Sequence, residues 1–155
     1  MEIRKAELGD LPVMAKHGRY FHDISSYGKL MGYDEIRIQD NLAGIMNSDV
    51  GLLLNAWDGD VLMGMLAAII INNLYDPKEY VAQCFFVAVL PDFQKRKVSN
   101  ALMVEFEKWS RANCADIVVY SGYSEKFINS MKRKGYIQVE VTLMKRLGES
   151  DGVSV

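Results

Sequence analysis

CFFVAVLPDFQKRKVSNALMVEF, residues Cys84 to Phe106, joins an apolar run to a proline, a short basic loop and an amphipathic stretch. Tyr80 to Leu90 is apolar at nearly every position, the composition of a strand buried on both faces at the centre of a sheet. Pro91 cannot donate to a ladder and ends it. Beyond the loop, Leu102, Phe106, Trp109 and Ala112 recur on one helical face while Glu105, Glu107, Lys108 and Arg111 fall mostly elsewhere. That spacing predicts a helix with Ser99 as its cap or first-turn residue. A strand that empties through a loop into a helix N-terminus aims backbone N–H groups and the positive end of the helix dipole at one place. Such places bind anions, typically phosphates. Here the loop carries Lys95, Arg96 and Lys97 where phosphate cradles usually have glycine.

Upstream, Val50 to Trp57 and Val61 to Ile71 flank Asp58-Gly59-Asp60, and Asp-Gly between two apolar runs predicts a β-hairpin. Ile3 to Ala6 reads as a short strand. Asp10 is placed to cap a helix that has Pro12 in its first turn and runs to about Asp23. Ser25 to Gly32 reads as a loop, and Tyr33 to Asn47 as a second helix. Downstream, Asp116 to Tyr120 is a strand, and Ser124 to Lys134 a helix with Phe127, Ile128 and Met131 inward, stopped by Gly135. Tyr136 to Leu147 alternates apolar and polar residues and is expected to form the last strand. The order is that of an α/β (α+β) chain with an antiparallel hairpin at its centre and crossover units behind it.

With 155 residues, half of them hydrophobic, the chain is long enough for one sizeable core, and we expect a single domain over 1–147 with a polar tail over 148–155. A net charge of -2 argues against a polyanion binder, so no nucleic-acid partner is expected. The apolar run Val61 to Ile71 contains Gly64 and is too short to span a bilayer. Met1-Glu2-Ile3-Arg4-Lys5 lacks a signal-peptide apolar region. The chain therefore reads as cytoplasmic, without a membrane partner. Cys84 and Cys114 form neither a disulfide framework nor a metal motif, and both read as buried thiols. His17 and His22, five apart on a helix, face different ways and make no shared metal site. Asp58 and Asp60 are turn residues with no third ligand nearby, so no metal is expected.

The opening IRKAELGDLP, the hairpin, the segment VAVLPDFQKRKVSNALM and the closing MKRKGYIQVEVTLMKRL together resemble the general N-acetyltransferase (GNAT) superfamily over Glu2 to Leu147. The resemblance implies a mixed sheet of about six to seven strands around the central hairpin, flanked by four helices. It also implies that acetyl-CoA is the cosubstrate. In that family a loop reading Gln/Arg-x-x-Gly-x-Gly/Ala holds the pyrophosphate. Gln94 falls on the Gln/Arg, Lys97 on the first glycine and Ser99 on the Gly/Ala, so the pyrophosphate site maps to Gln94, Lys95, Arg96, Lys97, Val98, Ser99 and Asn100. The backbone of Val87, Ala88 and Val89 falls where the family holds pantetheine, and Ser124 falls where an asparagine often bonds a pantetheine amide.

The family's frequent glutamate base is replaced by Gln83, and its frequent tyrosine acid by Met131. Tyr120 and Tyr123 are the candidate replacement acids. Tyr20, Phe21, Tyr27 and Tyr33 surround the loop that forms the acceptor wall in this family, with packing or a subunit contact as the alternative roles. Lys95 to Lys97 and Lys132 to Lys134 would share a basic face on the coenzyme side. Two functions are implied. One is acetyl transfer to the primary amine of a small molecule or protein. The other is an inactive GNAT-fold protein serving as a binding or structural subunit in a homo-oligomer or larger assembly, similar to acetyltransferase-like reading frames of bacteriophage genomes.

Overall fold

Gly59, the first of two residues in the hairpin loop, turns at φ +56, a positive φ that glycine adopts without strain, and so joins β2 (Gly51–Asp58) to β3 (Val61–Asn72). The computed structural model describes residues 1–122 and 124–148. Before the hairpin come β1 (Glu2–Lys5), a 3₁₀ turn (Leu8–Asp10), α1 (Leu11–Ile24), α2 (Tyr27–Leu30) and α3 (Glu35–Asn47). After it come β4 (Tyr80–Val89), a second 3₁₀ segment (Pro91–Arg96), α4 (Val98–Ala112), β5 (Ile117–Tyr120) and α5 (Glu125–Arg133). The strands form one sheet in the order β1-β2-β3-β4-β5, antiparallel except for the parallel β4–β5 pair.

The long apolar strands at the centre bury both faces. On one face Leu52, Leu54, Leu66 and Cys84 pack with Val98, Leu102 and Phe106 of α4. On the other, Leu53, Met65, Ala67 and Ala88 pack with Leu11 and Met14 of α1 and Leu42 of α3. Gly64 permits close approach at this centre, since a Cβ there would lie 2.9 Å from the Ala88 carbonyl and 3.1 Å from a Val98 methyl.

Four expectations need correction. The segment Ser25 to Gly32 contains a short helix, α2, because the chain folds back there onto Ser25 and Ser26 carbonyls. Cys114 is exposed, at φ +61 just past the end of α4. Asp10 occupies the N-cap position of α1 without capping it. Most consequentially, Tyr136 to Leu147 is not a strand, and the sheet has five strands among the described residues. Alternation specifies which face a strand would bury, but a strand exists only where a ladder forms, and among the described residues this segment makes no backbone hydrogen bond to the free outer edge of β5.

The Asp10 carboxylate instead receives Arg4 in a two-pronged ion pair, at 2.7 and 3.1 Å, together with the Glu7 amide at 2.8 Å and Asn55 Nδ2 at 3.4 Å. Asp10 and Asn55 are buried, so this network ties β1, β2 and the entry of α1 at one point inside the core. Burial alone would push the Asp10 carboxyl up, but Arg4, the Glu7 amide and Asn55 outweigh it and hold it below the usual carboxylate range.

A carboxyl with a depressed folded pKa stabilises the fold above its unfolded pKa and loses that contribution as pH falls through the folded value. Asp10→Asn should therefore cost about 2 kcal/mol near neutrality, because it leaves Arg4 without its charge partner. It should also flatten the acid side of the stability profile, in the region below about pH 4. Urea melts of both proteins across that range provide the check. An unchanged acid slope would show that Asp10 carries no such linkage.

Candidate functional site

β4 has two neighbours along its first half and one along its second. It pairs with β5 from Val81↔Ile117 to Cys84↔Tyr120, where β5 ends. On the other side its register with β3 slips at this level, with Ala68 opposite Cys84 and Ala67 opposite Phe86. Phe85 is therefore the extra residue of a β-bulge, and it is 45% exposed. Beyond it, Val87, Ala88 and Val89 pair with Leu66, Met65 and Gly64 of β3 and have no strand on the β5 side among the described residues. A notch opens there, with unpaired backbone groups of β4 along one wall.

The notch leads to the N-terminus of α4. Pro91 ends β4 and begins the 3₁₀ segment, and Lys97 then turns the chain at φ 58, ψ 25. That left-handed conformation explains why glycine suits this position in related loops, and a residue with a Cβ takes it at a cost of roughly 1 kcal/mol. Lys97 is the N-cap of α4 and caps it with no side-chain hydrogen bond. The first helical amide to find its carbonyl within α4 and its cap is that of Ala101, bonded to Lys97 O at 3.1 Å. The amides of Val98, Ser99 and Asn100 precede it and point out of the helix end. Val98 is fully buried and anchors this turn in the core, while Gln94, Lys95, Arg96, Lys97 and Asn100 are exposed.

The cations around this end are not equivalent. Arg96 is held by Asp58 of the hairpin at 2.7 Å, which draws the Asp58 carboxyl below its usual range, and its guanidinium lies 5.7 Å from the Phe93 ring centre. Among the described residues Lys95 and Lys97 make no ion pair. Lys134, just past α5, donates to Asn100 Oδ1 at 3.1 Å. The first turn of α4 and the residue after α5 therefore meet through this bond. The Arg96–Asp58 pair escaped the sequence reading, although β4 running antiparallel to β3 returns the loop to the hairpin end of the sheet.

Tyr120, the last residue of β5, stands at the closed end of the notch. Its ring packs edge-on against Phe106 at 5.3 Å, and its hydroxyl donates to Glu107 Oε1 at 3.2 Å. Tyr136 donates to the same oxygen and meets Tyr120 edge-on at 5.6 Å. Burial, foremost, and the Glu107 charge push the Tyr120 phenol far up, so it keeps its proton at any ordinary pH. Burial and the bond to Glu107 push Tyr136 up to about 12. No sequence signal marked Glu107, which sits among charged residues on the flank of α4. Tyr123 lies outside the described residues.

Gln83 lies on β4 opposite Val119, and Met131 of α5 is buried. Ser124 caps α5 by accepting from the Phe127 amide at 3.2 Å, which leaves its own proton free to donate. Of the acceptor-wall aromatics, Tyr33 donates to the Ala15 carbonyl and carries Arg19 over its ring at 5.0 Å, a packing role. Tyr20 and Tyr27 stay partly exposed. Cys84 is buried, and burial pushes its thiol up to about 12, so it behaves as a small hydrophobe. The described residues hold no group of three metal-ligating side chains, and no helix among them is long and apolar enough to cross a membrane.

Residues 23–123 match the model of the acetyltransferase (GNAT) family. No curated protein matches the sequence. Among solved structures the fold is similar to a transcriptional regulator from Bacillus halodurans, at TM-score 0.78 and 15% identity, covering 94% of this chain and 99% of that one. It is also similar to an aminoglycoside antibiotic 6'-N-acetyltransferase from Acinetobacter haemolyticus, at TM-score 0.71 and 18% identity, covering 97% and 100%. A third similar structure is AAC(6')-Iy in complex with a bisubstrate analogue of CoA and acetylneamine, at TM-score 0.69 and 18% identity, covering 95% and 97%.

Lys97→Gly removes the Cβ from a left-handed position, and once the extra unfolded-state freedom of glycine is subtracted from the roughly 1 kcal/mol of strain it should leave stability equal to the wild type or up to about 0.5 kcal/mol higher. Denaturant melts read this directly, and a loss of about 0.5–1 kcal/mol, the full glycine penalty, would mean that the lysine is unstrained. At the alkaline end, a tyrosine whose folded pKa is raised stabilises the fold fully below its unfolded pKa near 10, and that contribution is lost as pH rises toward the folded value of about 12. Tyr136→Phe should therefore show a shallower stability loss than the wild type over that interval, measured by thermal melts at stepped pH.

Proposed function

Because the chain belongs to the acetyltransferase (GNAT) family, we propose that it binds acetyl-CoA in the β4–β5 notch and transfers the acetyl group directly to a primary amine. The observation that carries this reading is the continuity of the unpaired β4 edge, Val87 to Val89, with the uncapped, cation-rich N-terminus of α4. The edge suits the amides of a pantetheine arm, which lies extended and needs donors and acceptors in alternation. The amides of Val98, Ser99 and Asn100, with Lys95 and Lys97 beside them, suit the pyrophosphate. Gln94, Arg96 and Ser124 complete the assigned set, Arg96 by bracing the loop against Asp58.

In the transfer the amine nitrogen forms a bond to the thioester carbonyl carbon, the C–S bond breaks, and the ammonium proton leaves as the thiolate gains one. An amide of the β4 edge is the group available to stabilise the oxyanion. Gln83 accepts no proton, so the amine must arrive neutral. Tyr120, held protonated at the closed end of the notch, is the described candidate for protonating the thiolate. Its bond to Glu107 and its packing on Phe106 equally suit a structural part. The replacement of both usual proton-transfer groups, by Gln83 and Met131, favours as a second reading a protein that binds the coenzyme or a partner without turnover.

Calorimetric titration should detect acetyl-CoA and CoA binding, weakened about tenfold or more by Lys95→Glu with Lys97→Glu. No heat at millimolar ligand would remove the coenzyme site. Release of free CoA thiol in the presence of a panel of amines separates the two readings. Transfer predicts release that falls in Tyr120→Phe, whereas binding with no release for any amine supports the inactive subunit.

A further inference from the structure

Phe85 is an apolar side chain that neither core cluster claims. Cys84 before it packs into the cluster shared with α4, and Phe86 after it packs against the cluster shared with α1 and α3. Phe85, the extra residue of the bulge, joins neither, and no aromatic ring pairs with it among the described residues. It follows the Cys84↔Tyr120 pair, where β5 stops and the notch begins. A pantetheine arm laid from the N-terminus of α4 along Val89 to Val87 would bring its thioester end to this level. A half-exposed phenyl ring therefore stands where an acceptor must approach.

The groups near it have little negative charge to offer. Gln83 on the same strand is a neutral amide, and Glu107, which reaches this level through Tyr120, already accepts from two phenols and pairs with Arg111. At the end of α1, where Phe21 packs against the same cluster as Phe86, Tyr20, Ile24 and Tyr27 are exposed. The acids of that corner are engaged as well, Asp23 with His22 at 2.9 Å, Asp34 as the cap of α3 and Glu35 with Arg19 at 3.0 Å. An ammonium brought here loses water without gaining a free carboxylate from this set. It could lie over a ring, but with Gln83 unable to take its proton it would not attack. A neutral amine on an aromatic body avoids both costs and gains ring contacts. Given acetyl transfer in the notch, on which this reading rests, we propose that the acceptor is an aromatic amine of the aniline class, neutral before it binds, and that Phe85 selects it by packing on its ring. The amine nitrogen bonds the thioester carbonyl carbon, the C–S bond breaks, and one N–H proton passes to the departing sulfur.

Release of CoA thiol from acetyl-CoA by the full chain, compared at pH 7 for 4-ethylaniline, benzylamine and spermidine, tests this. The aniline should react roughly tenfold or more faster than the two amines that are protonated at that pH, and its rate should stay flat from about pH 6 to 9, while that of benzylamine climbs about tenfold per pH unit. Phe85→Ala should raise KM for 4-ethylaniline by roughly tenfold and leave calorimetric acetyl-CoA binding within about twofold. Faster release with spermidine or benzylamine at pH 7 overturns the proposal, as does an unchanged KM in Phe85→Ala. If that variant fails to fold, the comparison of amines on the wild type decides alone. If acetyl-CoA binds and no amine releases thiol, titration of 4-ethylaniline into the CoA-saturated protein decides: heat absent with spermidine supports the acceptor site, and no heat with the aniline overturns it. A protein that gives no heat with acetyl-CoA itself removes the transfer reading and this one with it, whereas coenzyme binding without preference for the aniline removes this one only.

Discussion

β5 stops at Tyr120 while β4 runs on to Val89, and the arrangement of the site follows from that inequality of length. Backbone amides and carbonyls inside a sheet must be paired, and a central strand that outruns its neighbour leaves a row of them open to whatever can bond there. The bulge at Phe85 falls at the level where the neighbour is lost, which bends β4 and widens its separation from β5. Pro91 then forbids the strand from continuing, and the left-handed turn at Lys97 swings the chain into α4 within one residue. Val98 enters the core at once and fixes the direction of the helix end. The open edge and the open helix terminus thus face one region because Pro91, the left-handed turn at Lys97 and the buried Val98 fix the path between them.

The parts of this design that were legible in the sequence are those written in neighbouring residues. Asp58-Gly59-Asp60 needs only the chirality of one turn, the helix from Val98 only its 3.6-residue period, and Gly135 only its tolerance of positive φ. The family model and the solved structures agree with the fold expected from that order. Features that depend on partners distant in the chain were hidden. Asp10 carried the local signature of a cap, yet Arg4 on β1 and Asn55, 45 residues beyond Asp10, offered its charge better partners than the helix amides. Glu107 read as a solvated charge, and it became a shared acceptor only because β5 and the segment after α5 bring Tyr120 and Tyr136 to it. Residues 136–147 failed in the opposite way. Their pattern is as good as that of β2, but the partner a strand requires is not written in its own residues.

Electrostatics divides the molecule in a manner that the net charge of -2 conceals. Two acidic groups near the notch are already engaged, Asp58 by Arg96 and Glu107 by two phenols and Arg111 at 3.4 Å. Lys95 and Lys97 remain uncompensated by ion pairs among the described residues, next to three outward amides. An anion arriving here meets charges that need not first break a salt bridge, so little of its binding energy is offset by lost contacts. The strain of roughly 1 kcal/mol at Lys97 is smaller than what one charge-assisted bond contributes, which is why a lysine can stand where glycine is conformationally easier.

Proton chemistry sets a different constraint on the proposed transfer. With Gln83 in place of a carboxylate, nothing on that part of β4 draws a proton from an ammonium, so the rate at a given pH scales with the fraction of acceptor already neutral. An acceptor of low amine pKa, or one whose amine loses water against the exposed Tyr20 and Tyr27 rings, suffers least. On the thiol side, burial and the Glu107 charge hold the Tyr120 phenol far above its usual range, so passing its proton to a thiolate, a weaker base, runs uphill. A phenolate left on Tyr120 would face the Glu107 carboxylate at 3.2 Å, a like charge that raises the cost of that step further. Such a site favours slow transfer to an uncharged amine over fast transfer to a protonated one.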